Sequence, residues 1–227
     1  MIAAPLFAAE KPWKTTIGAG LTLTSGNTNT RNYNFSFGTR YNASKRLLFK
    51  ADALYILGSS NGTRQLDKAV ANVREELTFS DRDFLFAEVG YLRDPFKGIT
   101  YSIAPVIGAG RRFFKTPHQT LSFDGAAGAL FGAESDLGRT TGASVKAGEN
   151  YELAISPSSR LTEKATGIWK VSDFANALYH ADAALTTAIA TRAELKVAYN
   201  YDFKNRQPSP AIKKADSTLV AAVVFKF

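Results

Sequence analysis

The chain has 227 residues, 45% hydrophobic and 21% charged, a balance that excludes a disordered polypeptide. Its 28 Lys+Arg against 20 Asp+Glu give a formal charge of +8, and there is no cysteine, so disulfides and thiolate metal sites are excluded. No apolar run reaches the length of a spanning helix.

Met1–Glu10 is apolar and rich in small residues, then turns polar at Glu10-Lys11-Pro12. It reads as the tail of a secretory signal peptide ending near Ala8-Ala9, or as a loose terminus. Residues 11–227 form the structural unit; no linker or composition shift marks a second domain.

From Trp13 onward the period is two. In Asn32–Tyr41, Tyr33, Phe35, Phe37 and Tyr41 alternate with Asn34, Ser36 and Arg40. Leu47–Leu57 sets Leu47, Phe49, Ala51, Ala53, Tyr55 and Leu57 against Lys50 and Asp52. Thr191–Lys204 is the clearest, with Ala193, Leu195, Val197, Tyr199, Tyr201 and Phe203 on one face and Arg192, Glu194, Lys196, Asp202 and Lys204 on the other. Turn clusters from Ser25-Gly26-Asn27 to Asn205–Pro210 divide the chain into about twelve strands, each long enough to cross a bilayer at a tilt. Links such as Asn42–Lys45, Ser80–Asp83, Thr116–His118 and Ser156–Ser159 are short, whereas Gly58–Gln65, Asp94–Ile99, Ser135–Gly142 and Asn205–Ala211 are expected to be longer loops at the opposite end. The pattern predicts an all-β, antiparallel, up-and-down transmembrane barrel of about twelve strands.

In such a barrel the apolar face points outward. An aromatic girdle is expected from Trp13, Tyr41, Phe79 and Phe113 at the short-turn end. Tyr33, Tyr55, Tyr91, Tyr101, Phe131, Trp169, Tyr179, Tyr201 and Phe203 supply the other belt, with mainly aliphatic residues between. The charges expected to line the interior are Lys50, Asp52, Lys68, Arg74, Glu76, Glu88, Asp124, Lys146, Glu152, Asp182, Glu194 and Lys196. Lys164, Lys170 and Arg192 share their parity. Against this pattern, Glu75, Glu149 and Glu163 fall outward and Leu54, Ile56 and Phe86 inward, unless a bulge resets the count.

Trp13…Gly18-Ala19-Gly20-Leu21-Thr22-Leu23-Thr24-Ser25-Gly26-Asn27-Thr28-Asn29-Thr30, then Tyr91-Leu92-Arg93-Asp94-Pro95-Phe96-Lys97-Gly98-Ile99, Gly108-Ala109-Gly110 and Glu149-Asn150-Tyr151, resemble the salt-induced outer membrane protein family of Gram-negative bacteria. The resemblance runs from Trp13 to Phe227. It implies an outer-membrane barrel, a link to salt stress and no settled biochemical activity, so it brings no catalytic residue. The closing strand Leu219–Phe227, with Phe225 and Phe227 outward, resembles the signal by which such barrels meet their assembly machinery.

Several sharper readings compete with plain ones. Gly18-x-Gly20 and Gly108-x-Gly110 lack the lysine of a phosphate loop and read as room for a neighbouring side chain or as an aid to curvature. His180, two residues from Asp182, faces the interior beside Thr186; a lipase-like hydrolase centred on it is one alternative function. His118 sits in a turn. Asp81, Asp83, Asp94 and Asp136 are explained by turn chemistry rather than calcium. Arg64, Arg93, Lys97, Arg139, Arg206, Lys213 and Lys214 are assigned to loops and nearby strand ends, where they are solvated or meet lipopolysaccharide phosphates. Basic residues split between loops and interior disfavour nucleic acid.

The leading expectation is a non-enzymatic outer-membrane barrel without cofactor or metal, acting as a small passive channel or an envelope-structural protein. The other alternative is a soluble ligand-binding barrel.

Overall fold

A computed structural model describes residues 13–25, 30–60, 63–135, 138–207, 209–210 and 212–227. The signal-like segment 1–10 and the turn residues Gly26, Asn27, Asn61, Gly62, Asp136 and Leu137 lie outside them.

Twelve antiparallel strands form one closed barrel in chain order. They are β1 (Trp13–Ser25), β2 (Thr30–Asn42), β3 (Leu47–Ser60), β4 (Thr63–Thr78), β5 (Asp83–Asp94), β6 (Ile99–Lys115), β7 (Gln119–Glu134), β8 (Gly138–Ser156), β9 (Ser159–Lys170), β10 (Asp173–Ala190), β11 (Ala193–Lys204) and β12 (Ala215–Lys226). Closure is made by β1 against β12, with Gly20 opposite Ala222 and Thr16 opposite Lys226. Every strand has two partners, so no edge remains to be covered.

Alternation sends one stripe of each strand out. Ile107, Tyr33 and Leu21 are 72%, 68% and 64% exposed. A water-soluble barrel would bury such residues, whereas hydrocarbon solvates them. Phe225 and Phe227 also lie exposed, the latter donating its backbone N–H to the Thr15 carbonyl at 2.9 Å.

Two features differ from the sequence reading. The expected contrast in link length is largely absent: β3 runs to Ser60, β4 starts at Thr63 and β8 at Gly138, leaving 205–214 as the extended connection. Polar residues there continue the ladder because pairing satisfies backbone groups whatever the side chain. The outward band is also not purely aliphatic between its belts, since Phe35, Phe37 and Tyr199 occupy it and are 56%, 43% and 50% exposed.

Glu75 and Glu163 are exposed and Glu149 half-buried on the outward face. The β4–β5 pairing holds its register across Glu75, so no bulge reverses it there. All three lie in the half of their strands nearer the short-turn end. Bulges do occur between Arg112 and Phe114 and between Asp173 and Ala177, which is how Phe114 and Phe174 come to be exposed at even positions.

Candidate functional site

The interior holds two layers of charge. Pairs between strands that are not neighbours must cross the barrel, which fixes which side chains point inward. In the half nearer the short turns, Arg74 on β4 is the hub. Its Nε donates to Glu76 at 2.9 Å, and its two terminal nitrogens donate to Glu88 on β5 and Asp124 on β7 at 3.0 Å each. Glu76 also receives Lys50 from β3 at 2.7 Å and Arg112 from β6 at 3.1 Å, and Glu88 receives Lys146 from β8.

Two inward aromatics complete this layer. The Arg74 guanidinium lies 3.6 Å from the Phe86 ring centroid and that of Arg112 4.4 Å from Phe84. Both rings are buried. Gly110 makes the space: a Cβ there would sit 2.3 Å from the Phe84 ring. Across the barrel, Glu194 binds Arg160 at 2.9 Å and Lys226 at 3.0 Å.

The second layer closes the opposite mouth around Asp202 on β11. Its carboxylate takes Lys68 from β4 and His180 Nδ1 at 2.9 Å, and its backbone carbonyl accepts from Lys97 Nζ at 2.9 Å. Lys97 also meets Asp216 at 3.4 Å, and Lys204 pairs with Glu134. Lys97 belongs to the single helical turn Pro95–Lys97, capped by Asp94 and ended by Gly98 at φ 70. That turn follows β5, and five strands separate β5 from β11 in either direction. Lys97 therefore spans the mouth to the diametrically opposite wall.

Between these groups lies a cavity of about 500 Å³. Asp52, Lys68, Glu88, Lys146, Asp182, Glu194 and Lys196 border it; Asp52 accepts from Asn72 at 3.0 Å. Lys50, Arg74, Glu76 and Asp124 belong to the packed layer beside it. Glu152 stands apart, exposed near the end of β8, in none of the ion pairs among the described residues. The interior is not uniformly polar. Ala184, Ala198, Val220, Ala222 and Val224 form a buried apolar strip on β10–β12.

Of the aromatic girdle residues, Trp13, Phe79, Phe113, Phe131, Tyr33, Tyr55, Tyr179 and Tyr201 are exposed, and Tyr41, Tyr91, Tyr101, Trp169 and Phe203 half-buried. Trp13 stacks on Tyr41 at 4.4 Å, and Trp169 Nε1 donates to the Tyr179 hydroxyl at 3.0 Å.

Lys97 corrects the loop assignment: it is buried, because its turn folds inward instead of standing in solvent. Arg64 and Arg93 both pair with Asp67, and Arg206 pairs with Asp173. Asp94 keeps its turn role but is buried in doing so. Sequence reasoning passes over Phe84, Arg112 and Glu134 although parity turns them inward, whereas Lys204 lies on the charged face expected of its strand.

A family model described as "Protein of unknown function, DUF481" matches residues 17–227. The chain belongs to the DUF481 family. A relative from Escherichia coli (strain K12), described as uncharacterized protein YdiY, is 25% identical over 210 residues, covering 92% of this chain and 81% of that protein. Among solved structures, the NanC porin superposes with a TM-score of 0.63 at 11% identity, over 93% of this chain and all of its own. An outer membrane channel from Pseudomonas putida F1 gives 0.58 at 10% identity over the whole of both chains. The KdgM porin in complex with disordered oligogalacturonate gives 0.54 at 7% identity, over 93% of this chain and 99% of its own. At these identities the likeness is one of fold. This DUF481 chain has the closed β-barrel fold of outer-membrane porins and channels.

Proposed function

We propose that this DUF481 barrel is a narrow, passive, non-enzymatic channel for small hydrophilic solutes. The observation that carries the reading is the cavity of about 500 Å³ enclosed by the barrel and bounded by both charged layers. Twelve strands leave an interior that side chains largely fill, so flux is confined to what passes between the ion pairs. The neighbours described as porins and channels, one of them with an acidic oligosaccharide, support a hydrophilic cargo.

The charges Lys50, Lys68, Arg74, Glu76, Glu88, Lys146 and Lys196 act as the filter in this reading, and Lys97 narrows the mouth. The outward girdle contacts lipid and lipopolysaccharide, and the strand ending in Phe225 and Phe227 is offered to the assembly machinery. A role in salt stress rests on the family resemblance and is tested by growth of a deletion strain at raised salt.

The test is conductance of the refolded full chain in planar bilayers. Small, discrete steps are expected, changed by Arg74→Glu or Lys196→Glu and enlarged by Lys97→Ala. Large, unselective conductance would reject the filled interior. Silence of both the native protein and Lys97→Ala, with no solute flux into vesicles, would leave only a structural role. The hydrolase alternative is not favoured, because His180 Nδ1 faces Asp202 at 2.9 Å and Nε2 faces Asp182 at 3.5 Å, so acids engage both nitrogens. Histidine-dependent turnover of phospholipid or ester substrates, absent in His180→Ala, would restore it.

A further inference from the structure

Seven cationic side chains border the cavity, and five of them are ion-paired: Lys68, Lys97, Lys146, Arg160 and Lys204. The other two, Lys164 on β9 and Lys196 on β11, have no carboxylate within ion-pair distance among the described residues. In each case the nearby acid is held by another group. Lys164 lies directly opposite Asp182, but that carboxylate turns to His180. Lys196 is two residues from Glu194, which binds Arg160 and Lys226. Both ammonium groups are half-buried on one wall and free to meet a mobile anion.

The register fixes their separation. Lys164 is level with Asp182 of β10 and Lys196 with Thr186, a four-residue offset. That is roughly 14 Å along the strands, with two strand widths, roughly 10 Å, across. One small anion therefore meets the two lysines in turn. Thr162, Thr186 and Asn200 lie on the same wall and present hydroxyl and amide groups, while Leu54 and Val70 give the cavity apolar surface. A lone ammonium is a point donor, so the hydroxyl and amide groups beside it, rather than its charge, distinguish a hydroxylated anion from a bare one.

We infer that Lys164 and Lys196 form two successive stations for a small hydroxylated carboxylate, the carboxylate on the lysine and the hydroxyl groups on the threonine and asparagine side chains. Two weak sites in series bind a solute firmly enough to admit it and loosely enough to release it. The inference rests on the channel reading but names its cargo.

The experiment measures the reversal potential of the full chain in a KCl gradient and the block of its current by sodium gluconate, with glucose and inorganic phosphate as comparators. Anion preference and concentration-dependent block by gluconate are expected, with no block by glucose. Lys164→Gln with Lys196→Gln should raise the half-blocking concentration about tenfold or more. Neither lysine holds an ion pair, so the change strands no buried acid, and correct folding is checked by the gel mobility of the unheated barrel. Lys164→Arg with Lys196→Arg should retain both block and selectivity. Unchanged block in the glutamine variant, equal block by glucose, or block by phosphate without block by gluconate would overturn the stations while leaving the channel intact. If no current flows at all, the channel reading fails by itself. The stations are then read by equilibrium binding of labelled gluconate to the detergent-solubilised barrel, where the same tenfold loss supports them and absent binding overturns them.

Discussion

Replacing Arg74 by Met tests whether the interior network holds the barrel together. Arg74 is 13% exposed and is shared by three carboxylates that are 4%, 8% and 2% exposed: Glu76, Glu88 and Asp124. The consequences for the three differ. Glu76 keeps Lys50 and Arg112, and Glu88 keeps Lys146. Asp124 loses its ion-pair partner, and its other oxygen is already buried without a hydrogen bond. Removing one member of a buried pair costs about 3–5 kcal/mol, most of it from the charge left behind. Loss of the ring contact with Phe86 acts in the same direction. Arg74→Met should therefore lower stability by about 3–5 kcal/mol in urea titrations of the barrel refolded into phospholipid vesicles. Adding Asp124→Leu should recover most of the loss by removing the stranded carboxylate. Lys50→Met is the comparison, since Lys50 is 39% exposed and Glu76 retains two other cations, so about 1 kcal/mol or less is expected. A cost for Arg74→Met no larger than that of Lys50→Met, or no recovery with Asp124→Leu, would refute the reasoning.

Two further perturbations probe the frame around this network. Val197→Arg places a charge on the outward face midway along β11 and should cost about 2–4 kcal/mol in vesicles; a neutral result would overturn the assignment of that face to lipid. Gly110→Ala drives a methyl group to 2.3 Å from Phe84 and 2.9 Å from the Asp124 Cβ and should cost about 1–3 kcal/mol, relieved by Phe84→Leu in the same titration.

What the sequence reveals and what it conceals divide along a physical line. Strand parity is a local property, so Lys68, Arg74, Glu88 and Asp202 can be placed on one face from alternation alone. The partner of each is not local. Lys68 meets Asp202 and Lys97 meets Asp216 because β4 and β5 face β11 and β12 across the closed barrel, a relation set by strand number and stagger. Lys97 is the sharpest case. A Pro95-Phe96-Lys97-Gly98 segment has every mark of a solvated turn, and Gly98 at φ 70 does end one. The direction of the turn, inward over the mouth, depends on an acceptor more than a hundred residues away, the Asp202 carbonyl. Phe84 and Phe86 are a different case: alternation already sends Phe86 inward, but an inward aromatic contradicts the expectation of a polar interior until Arg112 and Arg74 are seen lying over the rings.

The same distinction explains why the two unpaired lysines are meaningful. In an interior with nearly balanced charge, parity gives each cation an acid somewhere within reach, and sequence alone provides no way to say which stay free. His180 decides it for one of them. By bridging Asp182 and Asp202 it ties the β10 carboxylate into the mouth layer and withdraws it from Lys164, its cross-strand neighbour. The histidine that invites a catalytic reading thus acts as a spacer between two acids, and its consequence for the proposed channel lies one strand away, in the lysine it leaves available to the cavity.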